Sequence, residues 1–110
     1  MTNVQRSSMY SLAYSYPSKN KAGQAYEAAR NLIYLHPCEL SAYRILSDSG
    51  WHVLVVGLKP SVIVEEPLKK ALKQFKGTLT TLPSEIVDMS FVRHFEKTKH
   101  TNWYEQSYDL

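Results

Sequence analysis

The sequence predicts a small α+β domain: a two-layer sandwich with the ferredoxin-like order of strands and helices, followed by a C-terminal segment. Three observations carry this expectation. Residues 8–16 alternate, with Tyr10, Leu12, Tyr14 and Tyr16 on one side and smaller residues on the other, which is the period of a strand. Two later stretches repeat apolar residues at helical spacing. Between them, residues 51–58 are apolar on both faces, as in a strand covered from two sides.

Taken in order, Pro17 and Ser18 end the first strand. Ala22, Ala25, Tyr26, Ala29, Leu32 and Ile33 then define one helical stripe. Ser18 or Asn20 can cap its first turn, and Pro37 forces the residue before it out of helical geometry, so this helix should end near Leu35. Pro37 can itself open a second helix, over about residues 38–48, that Gly50 would stop. After the apolar strand, 59–61 read as a turn and 62–64 as a short β-branched strand. Glu66-Pro67 starts the next helix, with Leu68, Ala71, Leu72 and Phe75 on its buried side and Gly77 at its end. Residues 78–82 are β-prone up to Pro83. Residues 85–95 fit either a strand or a helix, and helix is preferred.

The order strand, helix, strand, strand, helix, strand is the ferredoxin-like one. One feature resists it: that topology puts the second strand at a sheet edge, whereas residues 51–58 ask for a central place. The alternative is a small three-layer α/β arrangement with a parallel sheet.

A chain of 110 residues has room for one domain, 1–110, with 96–110 as a docking tail or an exchanged arm. Its 44% hydrophobic and 21% charged residues suit a folded core. The net charge of +3 permits attraction to polyanions without demanding it. One cysteine cannot form an internal disulfide, residues 1–8 are too polar for a secretory signal, and no apolar run is long enough to span a membrane. The expectation is therefore a soluble cytoplasmic protein.

Several residues are candidates for function. Lys69, Lys70, Lys73 and Lys76 share the polar side of their helix and could neutralise phosphates. Tyr10, Tyr14 and Tyr16 share one strand face and could stack bases if that face were open, although the glycine-aromatic pattern of the RNA-recognition motif is absent. His36, Cys38 and Glu39 lie together where a helix is expected to begin, a placement that lowers a thiol pKa. His94, His100 and Glu96 form a loose cluster that matches no metal-site spacing. The acids Glu65, Glu66, Glu85 and Asp88 show no paired arrangement for acid/base work. Trp103, Tyr104 and Tyr108 are large aromatics in a polar tail and need cover from this domain or from a partner.

With no phosphate loop, nucleophile elbow or dinucleotide fingerprint, no cofactor is expected and an enzyme is disfavoured. The leading expectation is a non-enzymatic interaction or regulatory module. It would act as a homodimer, or with another protein, through its aromatic sheet face and tail. The alternatives are a nucleic-acid-binding module using the lysine ridge and the tyrosines, and a small enzyme dependent on Cys38 and His36.

Overall fold

A computed structural model describes residues 9–97 and 103–107 of the chain, and the side chains of 9–95. The elements are β1 (Met9–Tyr16), α1 (Lys19–Leu35), β2 (Leu40–Ser47), β3 (Gly50–Leu58), α2 (Val62–Lys73), β4 (Thr78–Thr80), α3 (Ser84–Lys97) and β5 (Trp103–Ser107). The sheet order is β4-β1-β3-β2-β5. The first four strands pair antiparallel, and β5 adds to β2 in parallel.

Local chemistry accounts for the two helices that share one face of the sheet. The Ser18 hydroxyl accepts the Lys21 amide at 3.2 Å and caps α1, which then ends as His36 turns extended ahead of Pro37. Ala22, Ala25 and Ala29 are fully buried, so small side chains let α1 lie close against the strands. In α2, Leu68 and Leu72 are fully buried beside Val64 and Ala71, and Phe75 just beyond it packs partly buried against the same core. The Tyr16 hydroxyl donates to the Leu72 carbonyl at 2.6 Å, satisfying an acceptor that the end of α2 leaves open. Gly77 lies so close to Leu72 and the Tyr16 ring that a side chain there would collide with both.

The strands separate two cores. Tyr14, Tyr16, Leu40, Ala42, Val53 and Val55 face α1 and α2. Ala13, Tyr43, Ile45, Leu54 and Val56 face the other way, against Ile86, Val87 and Phe91 of α3. The chain is thus α+β, but the expected two layers become three, because α3 covers the face that a two-layer sandwich leaves bare. The parallel-sheet alternative fails on strand direction.

Two local expectations are corrected, and together they resolve the misplaced strand. Residues 38–48 are not a helix: β2 occupies Leu40–Ser47, buries side chains on both faces, and turns through Asp48 and Ser49 into β3. Residues 62–64 are not a strand but the first turn of α2, with Ser61 as its N-cap, so Pro67 falls inside the helix rather than at its start. The additional strand, β2, makes residues 51–58 part of the third strand, and that strand lies between β1 and β2. No helix of the described residues is long and apolar enough to cross a membrane.

Candidate functional site

The sheet edge at β1 and β4 is where the surface departs most from a closed shape. β4 pairs with β1 only at Ala13, Tyr14 and Ser15. Residues 9–12 of β1 pair with β3 on one side, and no strand of the described residues pairs with them on the other. The cause is local. After Thr80 the chain leaves the sheet so that Leu82 can enter the second core, and Pro83 begins the turn into α3.

A groove lies on each side of this edge. On the α3 side, one of about 520 Å3 is lined by Met9, Ala13, Leu54, Leu82 and Val87, with Asp88 also lining it. On the α2 side, one of about 680 Å3 is lined by Tyr14, Glu66, Lys69, Lys70 and Lys73. Lys69 lies 3.8 Å from the Glu65 carboxylate. Lys70 and Lys73 are exposed, and no ion pair holds them among the described residues. Leu79, on the outermost strand, is 65% exposed.

The structure therefore brings Lys69, Lys70, Lys73 and Tyr14 to one groove. It leaves Lys76 beyond the end of α2, at a left-handed φ of 64°. The tyrosine face is not open. Tyr14 (3% exposed) and Tyr16 (7%) are buried beneath the helices. Tyr10, half-buried, donates to Glu65 at 3.0 Å and carries the Lys59 ammonium 5.3 Å from its ring centre. Of the three rings, only that of Tyr10 is partly exposed. Burial first, then the Glu65 carboxylate, hold the Tyr10 hydroxyl above its usual pKa. Hydrogen bonds from Lys59 and then Tyr10 hold the Glu65 carboxyl below its usual value.

Cys38 is not at a helix start. It lies between α1 and β2, just past the C-terminal end of α1, with Sγ 3.8 Å from the Ile33 carbonyl. Burial pushes its thiol pKa up, the reverse of activation. His36 bonds the Leu32 carbonyl at 2.9 Å through Nδ1, and the Glu39 carbonyl accepts the Leu58 amide at 2.9 Å. These three residues join helix to strand, and Cys38 lacks the helix-start placement expected for it.

His94 is fully buried in α3, with Nδ1 2.9 Å from the Ser41 hydroxyl of β2 and no partner for Nε2 among the described residues. Burial lowers its pKa and Glu39 opposes this. Because Ser41 is also fully buried, the pair has no access to a substrate and instead pins α3 to the sheet. His100 and the Glu96 side chain lie outside the described residues. Among those described, no three His, Cys, Asp or Glu are grouped to hold a metal ion. Glu85 lies in the first turn of α3. Trp103 and Tyr104 pair in register with Ala42 and Tyr43 of the same chain, while Tyr108 lies outside the described residues.

Sequence reasoning missed the Ser41–His94 contact, which joins residues 53 apart and leaves no local signature. It also missed the edge, since strand pairing on one side only is invisible in a linear pattern. Comparison with protein-family models, curated proteins and solved structures returns no match.

Proposed function

We propose that the protein is a non-enzymatic interaction module whose contact surface is the β1–β4 edge with the groove on either side of it. The observation that supports this reading is the apolar groove lined by Met9, Ser11, Leu12 and Ala13 of the incompletely paired β1, with the basic groove meeting the same strand at Tyr14. Exposed strand edges are ordinarily blunted by charge, proline or cover, and residues 9–12 (Met-Tyr-Ser-Leu) have no charged residue or proline. The frame carrying this edge we read as a ferredoxin-like β-α-β-β-α-β unit, on its element order and its β4-β1-β3-β2 sheet order, with α3 and β5 added. The homodimer, proposed from the sequence through an aromatic sheet face and tail, moves in this reading to the same edge.

The test is a comparison of partners recovered from the native host with the wild-type chain, with Leu79→Glu and with the Lys70→Glu/Lys73→Glu double variant. A partner that depends on the edge is lost from one or both variants while their circular dichroism is unchanged. If all three recover the same set, the proposal fails.

A second reading, binding of nucleic acid, is favoured by one observation: Lys69, Lys70 and Lys73 line one groove with Glu66, and Lys69 also lies by Glu65. It requires binding of single-stranded RNA or duplex DNA that weakens steeply as salt rises. Undetectable binding at low salt removes it.

A further inference from the structure

We infer that α3 is a proton-released latch: protonation of His94 frees this helix from the sheet while α1 and α2 stay docked, and uncovers the second apolar core.

The inward side of α3 is mixed. Ile86, Val87 and Phe91 are buried against the sheet, but so are Ser90 and His94, whereas Met89, Val92 and Phe95 are exposed. With only three of its six large apolar side chains buried, the helix leans on two polar contacts. The Tyr43 hydroxyl donates to the Ser90 carbonyl at 2.8 Å, and the Ser41 hydroxyl lies 2.9 Å from His94 Nδ1. Neutral groups make the first contact, so mild acid leaves it alone. The second depends on the charge of the ring.

A neutral imidazole can share one hydrogen bond with Ser41, whereas the cation carries a donor on both nitrogens. Nδ1–H keeps the serine oxygen. Nε2–H meets no acceptor among the described residues, and a fully buried cation short of a bond is strongly disfavoured. The rest of its surroundings offer little relief. The Phe91 and Phe95 rings lie 6.4 and 5.3 Å away. β2 presents Ser41 and Tyr43, and β3 presents Leu54 and Val56, which carry no charge. Glu39, exposed just ahead of β2, favours the cation, but burial outweighs it. On α3 itself the described charged side chains are Glu85, Asp88 and Arg93. His52 shares this face of β3 by alternation, yet it lies four residues, about 13 Å, from Val56, the register partner of Ser41. Release gives the His94 ring to water, so the opening of α3 takes up a proton and grows as the pH falls.

The other face has no buried imidazole among the described residues. Its buried carboxylate, Glu65, is held 3.1 Å from Lys59 and protonates only below its ordinary value of 4.5. Acid between pH 7 and 5 therefore acts first on the α3 side. Ser84, Val87 and Asp88 also form one wall of the apolar groove beside β1, so release of α3 dismantles that groove.

The experiment is residue-resolved amide exchange on the full 15N-labelled chain, at low urea concentrations and between about pH 7 and 5, with each rate corrected for intrinsic exchange. A helix of 14 residues is marginal in water once undocked, so its amides report release. They should share one opening whose urea dependence is shallower than that of α1, because it exposes one layer and not the whole chain. Its opening constant should rise about tenfold from pH 7 to 5, and at most about 25-fold for one imidazole with an ordinary pKa of 6.5. His94→Gln should hold that rise below about threefold, and His52→Gln should leave it within about twofold of wild type.

The latch is overturned if α3 and α1 amides open with the same constant and the same urea slope, since the chain then opens as a whole. It is also overturned if the α3 opening is shallower but indifferent to pH. A rise that survives in His94→Gln and disappears in His52→Gln would overturn the assignment to His94. Should His94→Gln fail to fold, the wild-type urea slopes and pH dependence decide the matter on their own.

Discussion

Lowering the pH from about 7 to about 5 is expected to destabilise the protein through two imidazoles, above the midpoint of its carboxylates. His94 and His52 are buried, with 0% and 4% exposure, and each has one ring nitrogen without a partner among the described residues, Nε2 and Nδ1 respectively. Burial lowers both pKa values below the unfolded value of 6.5; Glu39 pulls His94 the other way, and the Gly50 backbone does so for His52. The sign follows from proton counting. Above 6.5 neither state is protonated and the full stability is present. As the pH falls through 6.5 the unfolded chain takes up protons that the folded chain refuses, and stability declines until the lower folded pKa values are reached. The slope is at most about 1.4 kcal/mol per pH unit for each imidazole, or about 2.7 for the two together. Urea unfolding at about pH 7.5, 6.5 and 5.5 measures it directly. His94→Gln should remove about half the slope, and adding His52→Gln should remove most of the rest. Glu65 belongs to a separate window, because its lowered pKa gives stability that is lost only below its unfolded value of 4.5. A free energy of unfolding that stays flat between pH 7 and 5, or a double variant with the wild-type slope, would refute the reasoning.

Other outcomes follow from single contacts. Tyr16→Phe removes the 2.6 Å bond to the Leu72 carbonyl and should cost about 1–2 kcal/mol by denaturant titration; an unchanged midpoint would show that carbonyl satisfied elsewhere. Gly57→Ala should cost at least about 2 kcal/mol, because the backbone there has φ 154° and a Cβ would run into the Glu39 carbonyl; a near-neutral change measured the same way would contradict the close approach. The Cys38 thiol should react with a neutral-pH thiol reagent more slowly than free cysteine, since burial raises its pKa, and faster labelling would reinstate it as a reactive group. Lys70→Glu/Lys73→Glu should stay within about 0.5 kcal/mol of wild type in stability, which separates its effect on binding from any effect on folding.

What could be read from the sequence was what its patterning encodes locally. β1 alternates because the side bearing Tyr14 and Tyr16 is covered more completely than the other, and α1 and α2 show clear stripes because one side of each meets solvent. β2 failed for the opposite reason. Leu40 and Ala42 enter one core and Tyr43 and Ile45 the other, so residues 40–45 lack the period of two, and Pro37 and Gly50 then imitate helix boundaries. Val62, Ile63 and Val64 have strong strand preference, yet they form a helical turn whose first amides, Val64 and Glu65, donate to the Ser61 carbonyl, and which the burial of Val64 and Leu68 draws in. The lysine side of α2 was legible as a ridge, but its place beside a sheet edge depends on where β4 leaves β1, and that is a tertiary fact.

The passage of α3 across the sheet has a mechanical side. Its 14 residues, at about 1.5 Å each, make a rod of about 21 Å, and five strands spaced about 4.8 Å apart span about 19 Å. The chain leaves β4 at one margin and returns as β5 at the opposite one, so this rod serves as a buckle fastening both borders of the fabric. Shortening it by one turn, about 5.4 Å, would leave that much more of the distance to be bridged by the link to β5.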